Sequence, residues 1–217
     1  KNLKKILFDD YNKYSSYKNC IRITTNLGQK KYKKNHINSF SFRLSKFLND
    51  HIKPDVMNKN EFLIFIGGSD IKKNLDKILK KIKIEKIYAH YKFNFYLGPG
   101  VRKKFKSKIK NISFFKNNEK KLTNLIKKSK YVFTNGGNTM FEMLMRKKIC
   151  LIFPSNKVEF DNSIYLKKNN LVRIYDKNQK LEKQIKSLFV LDKLNYIKKN
   201  KLFRIGNIKK DFDKILS

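Results

Sequence analysis

Tryptophan is absent from this chain, and its 217 residues include only two cysteines, three prolines and eight glycines. So few cysteines exclude a disulfide-stapled scaffold. Cys20 and Cys150 lie far apart, each within an apolar run, and read as small buried hydrophobes of a protein kept in the reducing cytoplasm. Acids are scarce as well, 17 against 53 lysines and arginines, which gives a formal net charge of +36. No carboxylate, histidine or cysteine cluster has metal-ligand spacing, so neither a metal nor any other cofactor is expected. No apolar run exceeds strand length, which excludes a membrane-spanning helix, and the opening KNLKKILF is too short in apolar residues for a signal peptide. A start at Lys1 without methionine leads to the expectation of an excised fragment.

What is present is enough for a core, since 40% of residues are hydrophobic. At this length the chain holds one large domain, or one domain and part of another. The basic excess runs through nearly every segment together with abundant asparagine and isoleucine. All three residues have AT-rich codons, so coding bias accounts for the charge. Without a basic stripe, a helix-turn-helix or an aromatic RNA platform, no nucleic-acid partner is expected.

Strands and helices alternate, the pattern of a doubly wound, Rossmann-like α/β fold with a parallel sheet. Strands are expected at 4–8 and 20–25, and a helix over 40–48. A linker follows at 51–60. The next block opens with the apolar strand Phe62–Ile66, cut by Gly67-Gly68-Ser69-Asp70, and Leu75, Ile78, Leu79 and Ile82 then mark a helix. Further strands are expected at 84–89, 93–97 and 112–115, with helices over 101–109 and 120–130. Tyr131 to Pro154 reads as strand, Gly136-Gly137 turn, helix and strand, with Asn138 or Thr139 as N-cap. Helices over 159–168, 181–189 and 209–216 and a strand over 171–174 complete the chain.

The two strand–Gly-Gly–helix turns carry the chemistry. Both would sit at the carboxyl edge of one parallel sheet, where open α/β sheets bind ligands. Free N–H groups and the helix dipole there favour an anion such as phosphate. Ser69 and Thr139 can add hydroxyl donors, and Glu142, one turn into its helix, can accept from ribose hydroxyls. The alternative is a pair of tight turns that serve packing alone.

The segment GGNTMFEML, followed by an apolar strand and proline, resembles the GG-x-T-x-x-E pattern in the C-terminal domain of family 28 glycosyltransferases, which have the two-domain GT-B fold. It is more similar still to the UDP-sugar hydrolases of pseudaminic acid synthesis, which share the strand ending in GGSD, a strand ending in Gly-Pro and an Asn-Gln step where Asp161-Asn162-Ser163 stands here. The resemblance implies a remnant of the N-terminal domain plus linker at 1–58 and a nucleotide-sugar-binding C-terminal domain at 59–217. It assigns Glu142 to the ribose of UDP, and Gly136, Gly137, Asn138 and Thr139 to the diphosphate. Gly67, Gly68 and Ser69 would line the same cleft, the backbone of Phe115 and Lys116 would meet uracil, and Asn162 would face the sugar or its leaving oxygen as the catalytic residue. Two departures stand out. Serine replaces the family's glutamine, and the Gly-x-Gly-His loop that carries the hydrolases' general base is missing. His36, His51 and His90 stand in unrelated contexts, so that base is expected in an N-terminal part outside this chain. The resulting expectation is a UDP-sugar hydrolase of surface-polysaccharide synthesis. The alternatives are a glycosyltransferase, a non-catalytic UDP-binding remnant, and a basic nucleic-acid binder.

Overall fold

A computed structural model describes residues 5–8, 20–24, 36–38, 58–68, 70, 72–116 and 118–194. The chain divides into two compact units, one of Lys1–His51 with Asn200–Ser217 and one of Ile52–Lys199. In the first, β1 (Lys5–Phe8), β2 (Cys20–Thr24) and β3 (His36–Asn38) pair in parallel in that order. The strand β3, which places His36 within a ladder, was not expected from its polar sequence.

The second unit holds a six-stranded, wholly parallel sheet. Its strands are β4 (Asn58–Phe65), β5 (Lys92–Leu97), β6 (Ile112–Lys116), β7 (Ser129–Thr134), β8 (Ile149–Ile152) and β9 (Val172–Ile174). The spatial order is β6-β5-β4-β7-β8-β9, the doubly wound order in which chain direction across the sheet reverses between β4 and β7. The helices are α1 (Asn74–Ile84), α2 (Glu119–Lys128), α3 (Asn138–Met145), α4 (Lys157–Lys168) and α5 (Leu181–Leu194).

The strands are apolar on both faces because helices cover both. Phe62, Leu63 and Ile64 of β4 are fully buried, as are Val132 and Phe133 of β7 and Leu151 and Ile152 of β8. Phe62 stacks on Phe93 of β5 at 5.4 Å and on Tyr131 of β7 at 5.3 Å, and Phe189 of α5 closes on Tyr131 at 5.0 Å. Each such pair contributes about 0.5–1.5 kcal/mol beyond area burial. Cys150 is buried in β8, and burial pushes its thiol pKa well up, so it acts as a packing residue there.

Several expectations change. β4 starts at Asn58, inside the expected linker. Residues 84–89 finish α1 and form a 3-10 turn at Ile87–Ala89 instead of a strand, since Lys86 takes a left-handed conformation (φ 52°) and stops extension. Residues 101–109 are irregular instead of helical. The start of α3 is capped by Gly137, with Asn138 already helical, so neither Asn138 nor Thr139 is the N-cap. The expected helices over 40–48 and 209–216, and His51, lie outside the described residues.

Candidate functional site

The two glycine turns end neighbouring strands. β4 and β7 pair with Phe65 opposite Thr134, so Gly67-Gly68 and Gly136-Gly137 emerge side by side at the carboxyl edge. This is the point of reversal, where helices leave to opposite faces and open a crevice. Asn135 joins the turns. A Cβ built on Gly67 would lie 3.3 Å from Asn135 Nδ2, and one on Gly137 would lie 3.5 Å from the same atom. Asn135 Nδ2 also donates to Glu159 Oε1 of α4 at 3.1 Å, while Glu159 Oε2 accepts from Ser155 N–H at 2.7 Å. Neither residue was singled out in the sequence, because a contact across 24 positions leaves no local signal.

The turns differ in what they offer. Gly67 has φ +85°, a conformation glycine adopts without strain. The helix it leads into is already capped, for Asp70 accepts the N–H groups of Asn74 at 2.7 Å and Leu75 at 2.8 Å. Asp70 therefore fills the anion position of α1. The starts of α2, α4 and α5 are filled likewise by Asn118, Asn156 and Glu85. At α3 the N-cap Gly137 supplies no side-chain hydrogen bond, and Met140 N–H folds back to Gly137 C=O at 3.1 Å. The N–H groups of Asn138 and Thr139 thus have no side-chain acceptor among the described residues. Just before them, Thr134 Oγ1 and Asn135 Oδ1 are buried without a hydrogen-bond partner. Buried polar atoms of that kind are ordinarily met by ligand or water. Glu159 sets a limit here, since its Oε1 lies 3.1 Å from the Cβ position of Gly137 and places a carboxylate beside the opening.

Gly136 has a different reason to be glycine. A Cβ there would stand 2.6 Å from Glu159 C=O and 2.8 Å from Ser163 Oγ, so α4 packs directly on this residue. Ser163, where the resembling hydrolases carry glutamine, is small enough to lie under the turn and donates to Glu159 C=O at 2.6 Å. Asn162 is 1% exposed on the packed face of α4.

On α3, Met140, Phe141, Met143, Leu144 and Met145 are buried, while Asn138, Thr139, Glu142 and Arg146 follow the outer face at helical spacing. Glu142 is half-buried and lies 3.5 Å from Arg146 Nε. The face running from the open N-terminus therefore leads to this carboxylate. Phe115 and Lys116 end β6, three strand positions from β7, or roughly 14 Å at the usual spacing. The structure places them on the same edge as the turns without bringing them into contact. Lys121 Nζ lies 4.7 Å from the Phe115 ring centre, and Lys116 Nζ donates to Val101 C=O. His90 precedes β5 and lies at the opposite, amino edge of the sheet. Ser69 lies outside the described residues. Among the described residues no cluster could hold a metal ion, and no helix is long and apolar enough to cross a membrane.

No protein-family model matches the chain, and no curated protein sequence matches it. Solved structures do. A glycotransferase of kitacinnamycin is similar at 14% identity and a TM-score of 0.56, over 76% of this chain and 45% of its own. Spinosyn forosaminyltransferase SpnP is similar at 11% identity and a TM-score of 0.53, over 98% of this chain and 56% of its own. The glycosyltransferase SnogD from Streptomyces nogalater is similar at 12% identity and a TM-score of 0.51, over 72% of this chain and 42% of its own. The chain spans about half the length of these glycosyltransferases. At such identities the likeness shows the fold alone, a Rossmann-like half-domain of GT-B type.

Proposed function

We propose that this chain is the nucleotide-sugar-binding part of a GT-B enzyme that processes a UDP-sugar, with the unit of Ile52–Lys199 as the binding domain and that of Lys1–His51 with Asn200–Ser217 as the remnant of its N-terminal domain. The observation that carries the reading is the uncapped start of α3 at the β4–β7 reversal, beside the unpartnered Thr134 Oγ1 and Asn135 Oδ1. Preorganised N–H groups at Gly137, Asn138 and Thr139 would hold the diphosphate and stabilise the charge that grows on it as the glycosidic bond breaks. Glu142, on the face leading away from that start, would accept from the ribose hydroxyls. Phe115 and Lys116 would contact the base through backbone groups. The glycosyltransferase neighbours favour transfer to a sugar or aglycone hydroxyl, with the acceptor bound by a domain beyond this chain.

The hydrolase reading, in which water attacks the anomeric carbon, is supported by the GGSD-type strand end and by Asp161-Asn162. The burial of Asn162 speaks for a positioning role over direct contact with the sugar. Calorimetric titration with UDP tests the binding reading. Saturable binding that weakens at least about tenfold in Glu142→Ala is expected. No heat at millimolar UDP, or unchanged affinity in the variant, defeats it. With the full-length enzyme, free sugar among the products would mark hydrolysis and a glycoside would mark transfer.

A further inference from the structure

A cavity of about 360 Å³ lies beside the Gly67-Gly68 turn, between the start of α1 and the irregular segment that follows β5. Its volume is in the range of small-molecule sites. Gly100 N–H donates to Gly68 C=O at 2.8 Å, so the cavity adjoins the carboxyl-edge crevice yet has its own lining.

The charges in that lining are uneven. Both oxygens of Asp70 are spent on the N–H groups of Asn74 and Leu75, and Asp76 is paired with Lys103. Lys73 and Arg102 remain, each exposed and without an ion pair among the described residues. Lys73 has φ 52° at a helix N-cap, where extended backbone is the rule. The other non-glycine residues with positive φ among the described residues, Lys86, Lys147 and Asn170, all follow helix ends, where this conformation is ordinary. The Asp70 turn imposes it on Lys73, whose N–H bonds Asp70 C=O at 3.1 Å, and strained residues of this kind gather at binding sites. On the same helix start Asn74 is 6% exposed, and its Nδ2 donor has no partner. Phe105 supplies an aromatic wall, stacked on Phe114 at 5.6 Å.

We infer that this cavity binds a small molecule carrying a phosphate or carboxylate group, with the anion between Lys73 and Arg102 and the carbon skeleton against Phe105. A guanidinium and an ammonium lining one opening, with Asp76 paired to Lys103 and the Asp70 carboxylate held by backbone N–H groups, match such an anion. The site stands on residues separate from those proposed to hold UDP.

Amide spectra of the whole chain titrated with glucose 6-phosphate, glucuronate and neutral glucose test the inference. Either anionic sugar should shift the amides of Lys73 and of residues 100–103 saturably, and the tighter of the two names the preferred group. The double variant Lys73→Gln with Arg102→Gln should weaken this at least about tenfold. No saturable shift at those amides up to tens of millimolar, equal binding of glucose, or undiminished binding to the double variant overturns it. UDP added to the same sample reports separately at residues 137–139, so failure of either site leaves the other standing.

Discussion

Gly136 and Gly68 stand in two turns of the same kind, the first glycine of one and the second of the other, and only Gly136 of the two is sterically obliged to be glycine. A Cβ at Gly136 would press on the backbone of α4 at Glu159, whereas among the described residues nothing lies within 4 Å of a Cβ at Gly68. Gly136→Ala should therefore cost about 1–3 kcal/mol through overpacking. Gly68→Ala should stay within about 0.5 kcal/mol, as surface changes do. Urea unfolding with an unchanged slope checks both; equal costs would show that α4 does not press on the turn. The same contrast separates two meanings of a Gly-Gly step that the sequence merges. Gly136 lets a helix approach, and Gly137, half-exposed at the α3 start, is the position proposed to face the diphosphate. Asn135 shows the limit of sequence reading most clearly. Beyond Gly137, two residues on, its neighbours are Gly67 and Glu159, and only the fold brings those two to it.

Among the elements, α1 is held from outside its own span. Asp70 accepts two of its first N–H groups, and Glu85 at its other end accepts two from the start of α5. Asp70→Ala should cost about 1–2 kcal/mol, the loss of a strong cap, and Asp70→Asn less because one acceptor oxygen survives. Thermal unfolding of both variants checks the order; identical losses would mean that the ionic charge, not the acceptor geometry, matters. Elements whose apolar residues recur at one clear period were legible in advance: α1 through Leu75, Ile78 and Ile82, α3 through Met140, Phe141 and Leu144, and the continuous runs of β4 and β7. The segment at 101–109 was not. Its half-buried Phe105, Ser107 and Ile109 alternate with exposed Lys104, Lys106 and Lys108, a period of two that belongs to extended chain. At β3 the opposite failing applied, since His36-Ile37-Asn38 is a strand by pairing with β2 and not by composition.

At the scale of the whole molecule, the order β6-β5-β4-β7-β8-β9 turns a list of motifs into a location. Turns 69 residues apart in sequence (Gly67 and Gly136) meet because β4 and β7 are neighbours, and Phe115, the proposed contact to uracil, the turns and Glu142 all fall at one edge while His90 falls at the other. The net charge of +36 competes with this as an account of any anion binding, since a basic surface gathers diphosphates everywhere. Range distinguishes the two. At about 0.15 M salt, screening acts beyond roughly 8 Å, which suppresses diffuse attraction far more than hydrogen bonds from a fixed helix start. Hydrogen exchange with and without UDP at that ionic strength should slow amides at 134–142 and leave 84–92, on the opposite edge, unchanged. Protection spread evenly over lysine-rich surface at both edges would assign the binding to charge alone and remove the crevice from consideration. Protection confined to 134–142 would require the parallel order itself, because no property of that stretch without β4 beside it would form the opening.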